Sequence, residues 1–222
     1  INASNIFCIT ESLCHRVFEL YGVESRQLRL PYTEDFTRSL ASTQKKQLIY
    51  VGAVNELYID VIKVVLEELK VINKSLVEKI YFRFTVPKNL VERKLGELPN
   101  FVFCEAIPSR IGLLDEISNS MAALIPYSFS SKNEVMVKTS FPSKTLDYLY
   151  AAKRIVVFAP SYSSIRKYFD DVDAISTVTN PDEFKDIILE LANSNSSSSS
   201  YRCILRNRHS EGVFHKTFLE SI

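Results

Sequence analysis

The amino-acid sequence predicts an α/β protein with a doubly wound parallel sheet and helices on both of its faces. Three observations point there. From Gln47 to Leu191, short apolar runs alternate with amphipathic stretches, the β-α-β-α order that builds parallel sheets. Runs such as Met121–Tyr127 and Ile155–Ala159 are continuously apolar, as strands covered on both faces must be. A single glycine, Gly52, separates one such run from a helix, the strand–Gly–helix turn that faces phosphate in doubly wound sheets. A lone glycine also suits any other tight turn.

The elements follow in order. Asn5 to Thr10 reads as a short strand, and Glu11 to Leu20 as a helix with Leu13, Val17 and Leu20 on one face. Thr10 is its expected N-cap and Gly22 its C-terminal stop. Gln27 to Leu30 is a second strand, ended by Pro31, and Tyr32 to Lys46 is polar, aperiodic and reads as a linker. Gln47 to Val51 is a strand. Glu56 to Lys70 is a helix whose Tyr58, Val61, Ile62, Val65 and Leu69 recur at helical spacing. Strands follow at Lys79–Val86 and Asn100–Ala106, then a helix from Arg110 to about Asn119 capped by Ser109. Met121 to Tyr127 is the next strand, and Ser128 to Ser140 a long polar loop, either a lid over a ligand or plain surface.

The stretch Phe141 to Pro160 carries most of the chemistry. Pro142 suits the approach to a helix starting near Ser143. Leu146, Leu149 and Tyr150 share one apolar face, with Asp147 and Ala151 off it, and Lys153-Arg154 closes the helix with positive charge. The helix start offers unpaired N–H groups and a positive dipole end, which attract phosphate. Ser143, Lys144 and Thr145 add hydroxyls and a charge, and Asp147, one turn in, has a carboxylate for sugar hydroxyls. The plainer alternative is a capping Ser143 with Lys144 and Asp147 in solvent. Ile155 to Ala159 is a strand, Ser161 to Tyr168 a helix and Asp173 to Val178 the last strand. A helix then begins at Pro181 with Asp182-Glu183 in its first turn. Asn193 to Ser200 is a serine-rich connector, and Tyr201 to Ile222 a basic, amphipathic C-terminal helix, packed on the protein or touching a membrane surface.

The run Pro142-Ser-Lys-x-x-Asp147-Tyr-Leu-x-Ala-x-Lys-Arg-Ile-Val resembles the donor-binding helix of GT-B retaining glycosyltransferases of the glycogen-synthase and sucrose-synthase-like kind (family 4). Their pattern runs roughly Pro-Ser-Lys-x-x-Glu-Tyr-Leu-Ala-x-Gly-Lys-Pro-Val-Val. Tyr50-Val51-Gly52 resembles the first strand and turn of the same Rossmann-like C-terminal domain. The resemblance implies that residues 47–192 bind a nucleotide-diphosphate sugar. Gly52, Ser143, Lys144 and Thr145 would hold the diphosphate, Asp147 the ribose, and the Ile107-Pro108 loop the nucleobase. Arg110 falls near the phosphates or in solvent. Asp147 replaces the usual Glu, Ala152 the usual Gly and Arg154 the usual Pro. Thr139 stands where the family has a first acidic residue, so Glu134 becomes the candidate for a displaced sugar contact.

The same resemblance assigns residues 1–31 to the end of an acceptor domain, 32–46 to a linker, 193–200 to a connector and 201–222 to a helix that returns across the domain interface. An additional βαβ layer of one complete domain is the other option for residues 1–31. It implies transfer of a sugar to a carbohydrate or lipid-linked acceptor, a polysaccharide or glycolipid, with no metal or other cofactor and with no activity from this chain alone. The rivals are a non-catalytic nucleotide-sugar-binding module or partner subunit, and a nucleotide-sugar epimerase.

Composition narrows the field. Lys and Arg number 27 against 26 Asp and Glu, a net charge of +1, so nothing in bulk points to nucleic acid or an anionic membrane. Cys8, Cys14, Cys104 and Cys203 form no Cys-x-x-Cys pair, which fits a reduced, cytoplasmic setting; the inner face of a membrane is a possible station for lipid-linked acceptors. No apolar run is long enough to span a bilayer. The absence of Gly-x-Gly-x-x-Gly argues against a dinucleotide dehydrogenase. That of Gly-x-Ser-x-Gly, with His15, His209 and His215 outside the core motifs, argues against a serine hydrolase.

Overall fold

A computed structural model describes residues 5–37, 39–40, 45–193 and 201–220. A six-stranded, all-parallel sheet forms from β3 (Lys45–Tyr50), β4 (Tyr81–Phe84), β5 (Val102–Cys104), β6 (Ser120–Pro126), β7 (Ile155–Phe158) and β8 (Ser176–Val178). Its order is β5-β4-β3-β6-β7-β8. The chain winds outward from β3 to β5, then returns to lay β6 on the other side of β3 and winds out to β8. The order therefore reverses between β3 and β6, and the carboxyl ends of these strands flank the crevice where such sheets bind ligands.

Alternation along each central strand feeds two cores. Leu48 and Tyr50 of β3, Ala122 and Leu124 of β6, and Val156 and Phe158 of β7 face one layer, with α2 (Ile59–Ser75), α3 (Lys88–Leu95) and α8 (Pro181–Asn193). Ile49, Ala123, Ile125, Ile155 and Val157 face the other, with α4 (Arg110–Asn119), α6 (Lys144–Ala151), α7 (Ser164–Phe169) and α9 (Arg202–His209). Both faces are covered, which is why the strands read as continuous apolar runs.

The doubly wound architecture agrees with the sequence reading, and several details correct it. α3 was not expected: it is short, five of its eight residues are polar or charged, and only Val91 is buried. The polar stretch Ser128 to Ser140 is not a loop throughout, since a 3₁₀ turn at Ser131–Asn133 leads into α5 (Glu134–Thr139). α6 stops at Ala151, before Lys153-Arg154, because Ala152 is already extended toward β7. The C-terminal stretch is two helices, α9 and α10 (Glu211–Leu219), split at Ser210, whose hydroxyl accepts from Val213 N at 3.3 Å and caps the second. The stretch from Tyr32 is more than a linker. Tyr32 is buried against Phe36 and Tyr150, and Tyr150 donates to the Asp35 carbonyl at 2.5 Å. Most of the serine-rich connector, residues 194–200, lies outside the described residues.

A second unit precedes the sheet. β1 (Phe7–Cys8) and β2 (Arg26–Gln27) pair in parallel around α1 (Glu11–Tyr21). Thr10 caps α1 as expected, accepting from Leu13 N at 3.1 Å, and Gly22 closes it in the left-handed region at φ 63°. Several contacts fasten the unit to the rest of the chain, among them Phe7 against Phe218 and Arg26 donating to the Glu220 carbonyl at 3.1 Å; two more reach the sheet domain. The Thr10 hydroxyl donates to the Thr139 carbonyl at the end of α5, at 2.6 Å. Buried His209 at the end of α9 holds the chain after β2: its Nδ1 lies 2.8 Å from the Leu30 carbonyl and its Nε2 2.9 Å from the Tyr168 hydroxyl. A carbonyl only accepts, so Nδ1 carries the proton and Nε2 accepts from Tyr168. The His209 carbonyl in turn accepts from Tyr32 N at 2.8 Å.

Burial lowers the His209 pKa from the 6.5 of an unstructured chain. The bond to Leu30 opposes this, while the charges of Arg29 and Arg208 add to it. The unfolded chain therefore binds the proton first. The stability His209 contributes is complete above pH 6.5 and is lost as the pH falls below that value. His209→Ala is expected to cost about 1–3 kcal/mol at pH 7.5, because it removes two part-buried hydrogen bonds. Denaturant titrations at pH 7.5 and pH 5.5 check both points. The variant should lose less stability on acidification than the wild type, and an equal loss would refute the assignment.

Candidate functional site

The crevice at the sheet reversal is built by two backbone events. β3 ends at Tyr50, and Gly52 follows with φ at 108°, a conformation L side chains rarely adopt. From the other side, α6 is drawn onto the strand end by its fully buried Tyr148, whose hydroxyl accepts from Val51 N at 2.8 Å. These two features bring the start of α6 against the turn. A β-carbon on Gly52 would lie 2.7 Å from Lys144 Nζ, so the glycine makes room for the ammonium. Gly52 N donates to the Thr85 hydroxyl at 3.3 Å, which fixes the turn to the end of β4.

The Lys144 ammonium lies 4.7 Å above the Tyr50 ring and 4.8 Å above the Tyr58 ring, and 3.4 Å from the Tyr50 hydroxyl. No carboxylate pairs with it among the described residues. Burial depresses its pKa from 10.5 to about 8. The two ring faces return part of what burial costs, since each cation–π contact contributes on the order of 0.5–2 kcal/mol. The arrangement leaves a half-buried ammonium without a counter-ion, over a backbone turn, at the mouth of the crevice.

Across the same cavity of about 340 Å³ sits an acid–base cluster. Asp147 Oδ1 lies 2.5 Å from an Arg110 Nη2, which also lies 3.1 Å from the Tyr32 hydroxyl. Tyr32 donates to Asp147 Oδ1 at 3.4 Å, and Arg110 Nε donates to Glu34 at 2.8 Å. Burial pushes the Asp147 carboxyl above its usual value, against the pull of Arg110 and Tyr32. Burial opposes the Arg110 charge too, but the two carboxylates outweigh it and hold the guanidinium firmly protonated. The contacts from Arg110 and Tyr32 both fall on Asp147 Oδ1.

The expected site residues separate into two groups. Gly52, Ser143, Lys144 and Asp147 line this cavity together. Ser143 does so without capping α6: its backbone is already helical and its hydroxyl makes no cap bond. Thr145 does not line it. It is fully buried and its hydroxyl has no partner, so its placement gives no support to a phosphate-shell role. Asp147 is not in solvent, as the plainer alternative held, because Thr145 to Ala151 are all buried; α6 has no exposed face for it to occupy. Ile107 and Pro108 stand in the loop before α4 and do not line the cavity, whereas Arg110 two residues on does. Glu134, exposed at the start of α5, is ion-paired with Lys138 and lies outside the cavity. Thr139 is buried, its hydroxyl bonded to the Val135 carbonyl at 2.8 Å.

Sequence reasoning missed Tyr32, Glu34, Tyr50, Tyr58 and Tyr148. One signal was available: tyrosines beside a glycine turn and an acidic helix can serve as ring walls and hydroxyl ties. Among the described residues no group of three or more His, Cys, Asp or Glu side chains is placed to hold a metal ion, and no helix is long and apolar enough to cross a membrane.

No family model and no curated protein matches the sequence. Solved structures do match the fold. S. aureus TarM, in a variant solved in complex with UDP, superposes with a TM-score of 0.66 at 13% identity over 97% of this chain and 43% of its own. A protein of the GtfA/B complex gives 0.65 at 8% identity, over 96% of this chain and 44% of its own. An α,α-trehalose-phosphate synthase (UDP-forming) from Burkholderia vietnamiensis gives 0.64 at 11% identity, over 96% and 58%. The chain thus spans about half the length of the solved chains it matches. The shared fold is that of GT-B glycosyltransferases.

An unpaired, half-buried ammonium destabilises the fold that holds it. Depression of a lysine pKa from 10.5 to about 8 corresponds to a penalty on the order of 3 kcal/mol before the ring contacts are counted. The penalty applies in full below pH 8 and fades as the pH rises toward 10.5, where the unfolded lysine also loses its proton. Lys144→Met keeps the stem and removes the charge. It is expected to raise the melting temperature at pH 7, by less at pH 10; a lower melting temperature at pH 7 would show that the ammonium is stabilising there.

Proposed function

We propose that this chain, which has the GT-B glycosyltransferase fold, is the donor-binding part of a glycosyltransferase acting on a nucleotide-diphosphate sugar. The observation that carries the reading is the Lys144 ammonium. It has no counter-ion, and it stands over the Gly52 turn at the sheet reversal, beside the N-terminus of α6. A diphosphate supplies the missing negative charge, and the backbone approach it needs is the one Gly52 permits. Asp147 Oδ2 would then accept from ribose hydroxyls while Oδ1 stays on Arg110. As the glycosidic bond breaks, negative charge builds on the leaving diphosphate. Lys144 and the helix start would meet it with charge already in position.

In this reading residues 1–31 are the end of an acceptor domain. The groups that bind the acceptor, a polysaccharide or glycolipid in the resemblance, would stand on that domain, and this chain alone would bind donor without transferring sugar. The competing reading, a nucleotide-sugar-binding module without catalysis, has one observation in its favour. Thr139, where an acid is expected, is tied to the Val135 and Thr10 hydrogen bonds and presents no carboxylate to the cavity. Transfer by the longer protein to any acceptor would exclude it.

Thermal shift against UDP, GDP, ADP, CDP and their sugars tests donor binding. Ligand at about 100 times its dissociation constant should stabilise the chain by roughly 2.7 kcal/mol. Lys144→Ala and Asp147→Ala should each abolish the response. Affinity should also fall as the pH rises through about 8, because only the protonated Lys144 offers its charge and a bound diphosphate raises its pKa. Binding that is flat from pH 7 to 9.5 would remove Lys144 from the diphosphate.

A further inference from the structure

Lys144 has a long, rotatable stem and no carboxylate among the described residues to hold its ammonium. Two ring faces keep it over the Gly52 turn, and they are fixed in different ways. Tyr50 belongs to β3, is fully buried, and donates its hydroxyl to the Ala53 carbonyl at 2.8 Å. Tyr58 stands outside the sheet, on the last residue before α2, and its side chain caps nothing. We propose that Tyr58 is a positioning residue for the Lys144 ammonium, and that the turn after β6 fastens it in place; the ligand this serves, a diphosphate, rests on the transferase reading above.

The fastening grips the chain on both sides of Tyr58. Before it, the Glu56 carbonyl accepts from Asn133 Nδ2 at 2.6 Å, and the Leu57 carbonyl accepts from Ser128 N at 2.9 Å. After it, Asp60 Oδ2 accepts from the Ser128 hydroxyl at 2.6 Å and from Phe129 N at 3.1 Å. Asn133 Nδ2 also donates to Ser128 Oγ at 3.0 Å, so one buried serine joins the two sides. Within the segment, Asn55 Oδ1 accepts from Leu57 N and the Asn55 carbonyl from Tyr58 N, each at 3.0 Å, which closes an Asx turn. The Tyr58 ring packs with its centre 6.0 Å from that of Tyr50 and 5.7 Å from that of Tyr127, the residue before Ser128. Polar side chains that a lid would turn toward a ligand are here committed to residues 56–60.

Among the described residues the Tyr58 hydroxyl has no hydrogen-bond partner, so the ring face is the part that acts. A ring face attracts an ammonium and not the neutral amine. It therefore favours the charged form in a place where burial opposes it. Arg110 and Asp147, the other charged groups lining the cavity, are engaged with each other. Without the Tyr58 ring only Tyr50 opposes rehydration, and the flexible stem carries the ammonium outward, away from the turn a diphosphate would approach.

Two readouts on this chain test the proposal. One is the titration of Lys144 without ligand, followed by NMR with ¹³C-labelled lysine, its signal identified by its loss in Lys144→Met. The other is the affinity for UDP at pH 7. Tyr58→Leu keeps apolar bulk and removes the ring face. It should move the titration from about 8 up toward 10.5 and weaken UDP about three- to tenfold, the value of one cation–π contact. Tyr58→Phe, which restores the ring, should recover the wild-type titration and bring the affinity back to within about twofold of the wild type. Asn133→Ala leaves the ring and releases the Glu56 carbonyl. It should move both readouts in the direction of Tyr58→Leu by a smaller amount, and it keeps the test open if a Tyr58 variant does not fold. A Lys144 titration in Tyr58→Leu that stays in place or moves down would overturn the positioning role. Failure of Tyr58→Phe to recover it would overturn the assignment to the ring, and an unmoved titration in Asn133→Ala would overturn the fastening. Absence of UDP binding to the wild type, with the titrations shifting as expected, would overturn the donor reading and leave the positioning of the ammonium standing.

Discussion

The junction of Val51 N with the Tyr148 hydroxyl is the contact on which the site depends. It holds the carboxyl end of the central strand to the middle of α6 through a fully buried side chain. Once that distance is fixed, the first turn of α6 has to lie against the turn after β3. A β-carbon at Gly52 would crowd the Lys144 ammonium out of its present place. The positive φ at Gly52, the seat of the ammonium on the Tyr50 ring and its depressed pKa are consequences of one geometric closure. The site is thus preorganised by core packing, and its charge is carried at a cost to the fold.

A similar logic governs the docking of the β1–α1–β2 unit. Little apolar surface fastens it: α1 has no buried residue, and Phe18, Leu20 and Tyr21 are exposed. Its attachment draws on polar ties, the buried bond from Thr10 to Thr139 and the part-buried bond between Leu30 and His209. Polar ties of this kind fix orientation with modest energy. Thr10, Leu30 and His209 all line a cavity of about 120 Å³ between this unit and the sheet domain. The segment after β2 also supplies Tyr32 to the wall of the cavity at the sheet reversal, so residues 27–32 contribute to both.

The architecture was legible because both faces of the sheet are covered, which leaves uninterrupted apolar strands, and because Ser109, Thr10 and Gly22 mark helix ends by their own chemistry. α3 and α5 were not legible, since an eight-residue helix with one buried position and a six-residue helix in polar sequence leave no period to read. In the site, Gly52, Lys144 and Asp147 could be found from local pattern. Arg110 was seen and its partner was not, because Asp147 is 37 positions away and the pairing exists only once α4 packs on α6. Tyr32 and Glu34 were lost for a related reason. A stretch without periodicity reads as a linker, yet its tyrosine is buried by elements that come much later in the chain. Thr145 differs from the other expected ligands in its placement, because a helix enclosed on every side turns the residue after Lys144 into the interior.

The cavity at the sheet reversal holds its positive charge in two ways. Arg110 is ion-paired with Asp147 and Glu34, so its guanidinium is tied to the fold. Lys144 has no carboxylate partner among the described residues, and burial lowers its pKa to about 8. The two cations therefore divide the work: one is neutralised and fastens α4 to α6, and the other keeps an uncompensated charge at the mouth of the crevice, where the fold bears the cost of burying it. Ser143, at the start of the same helix, makes no cap bond with its hydroxyl.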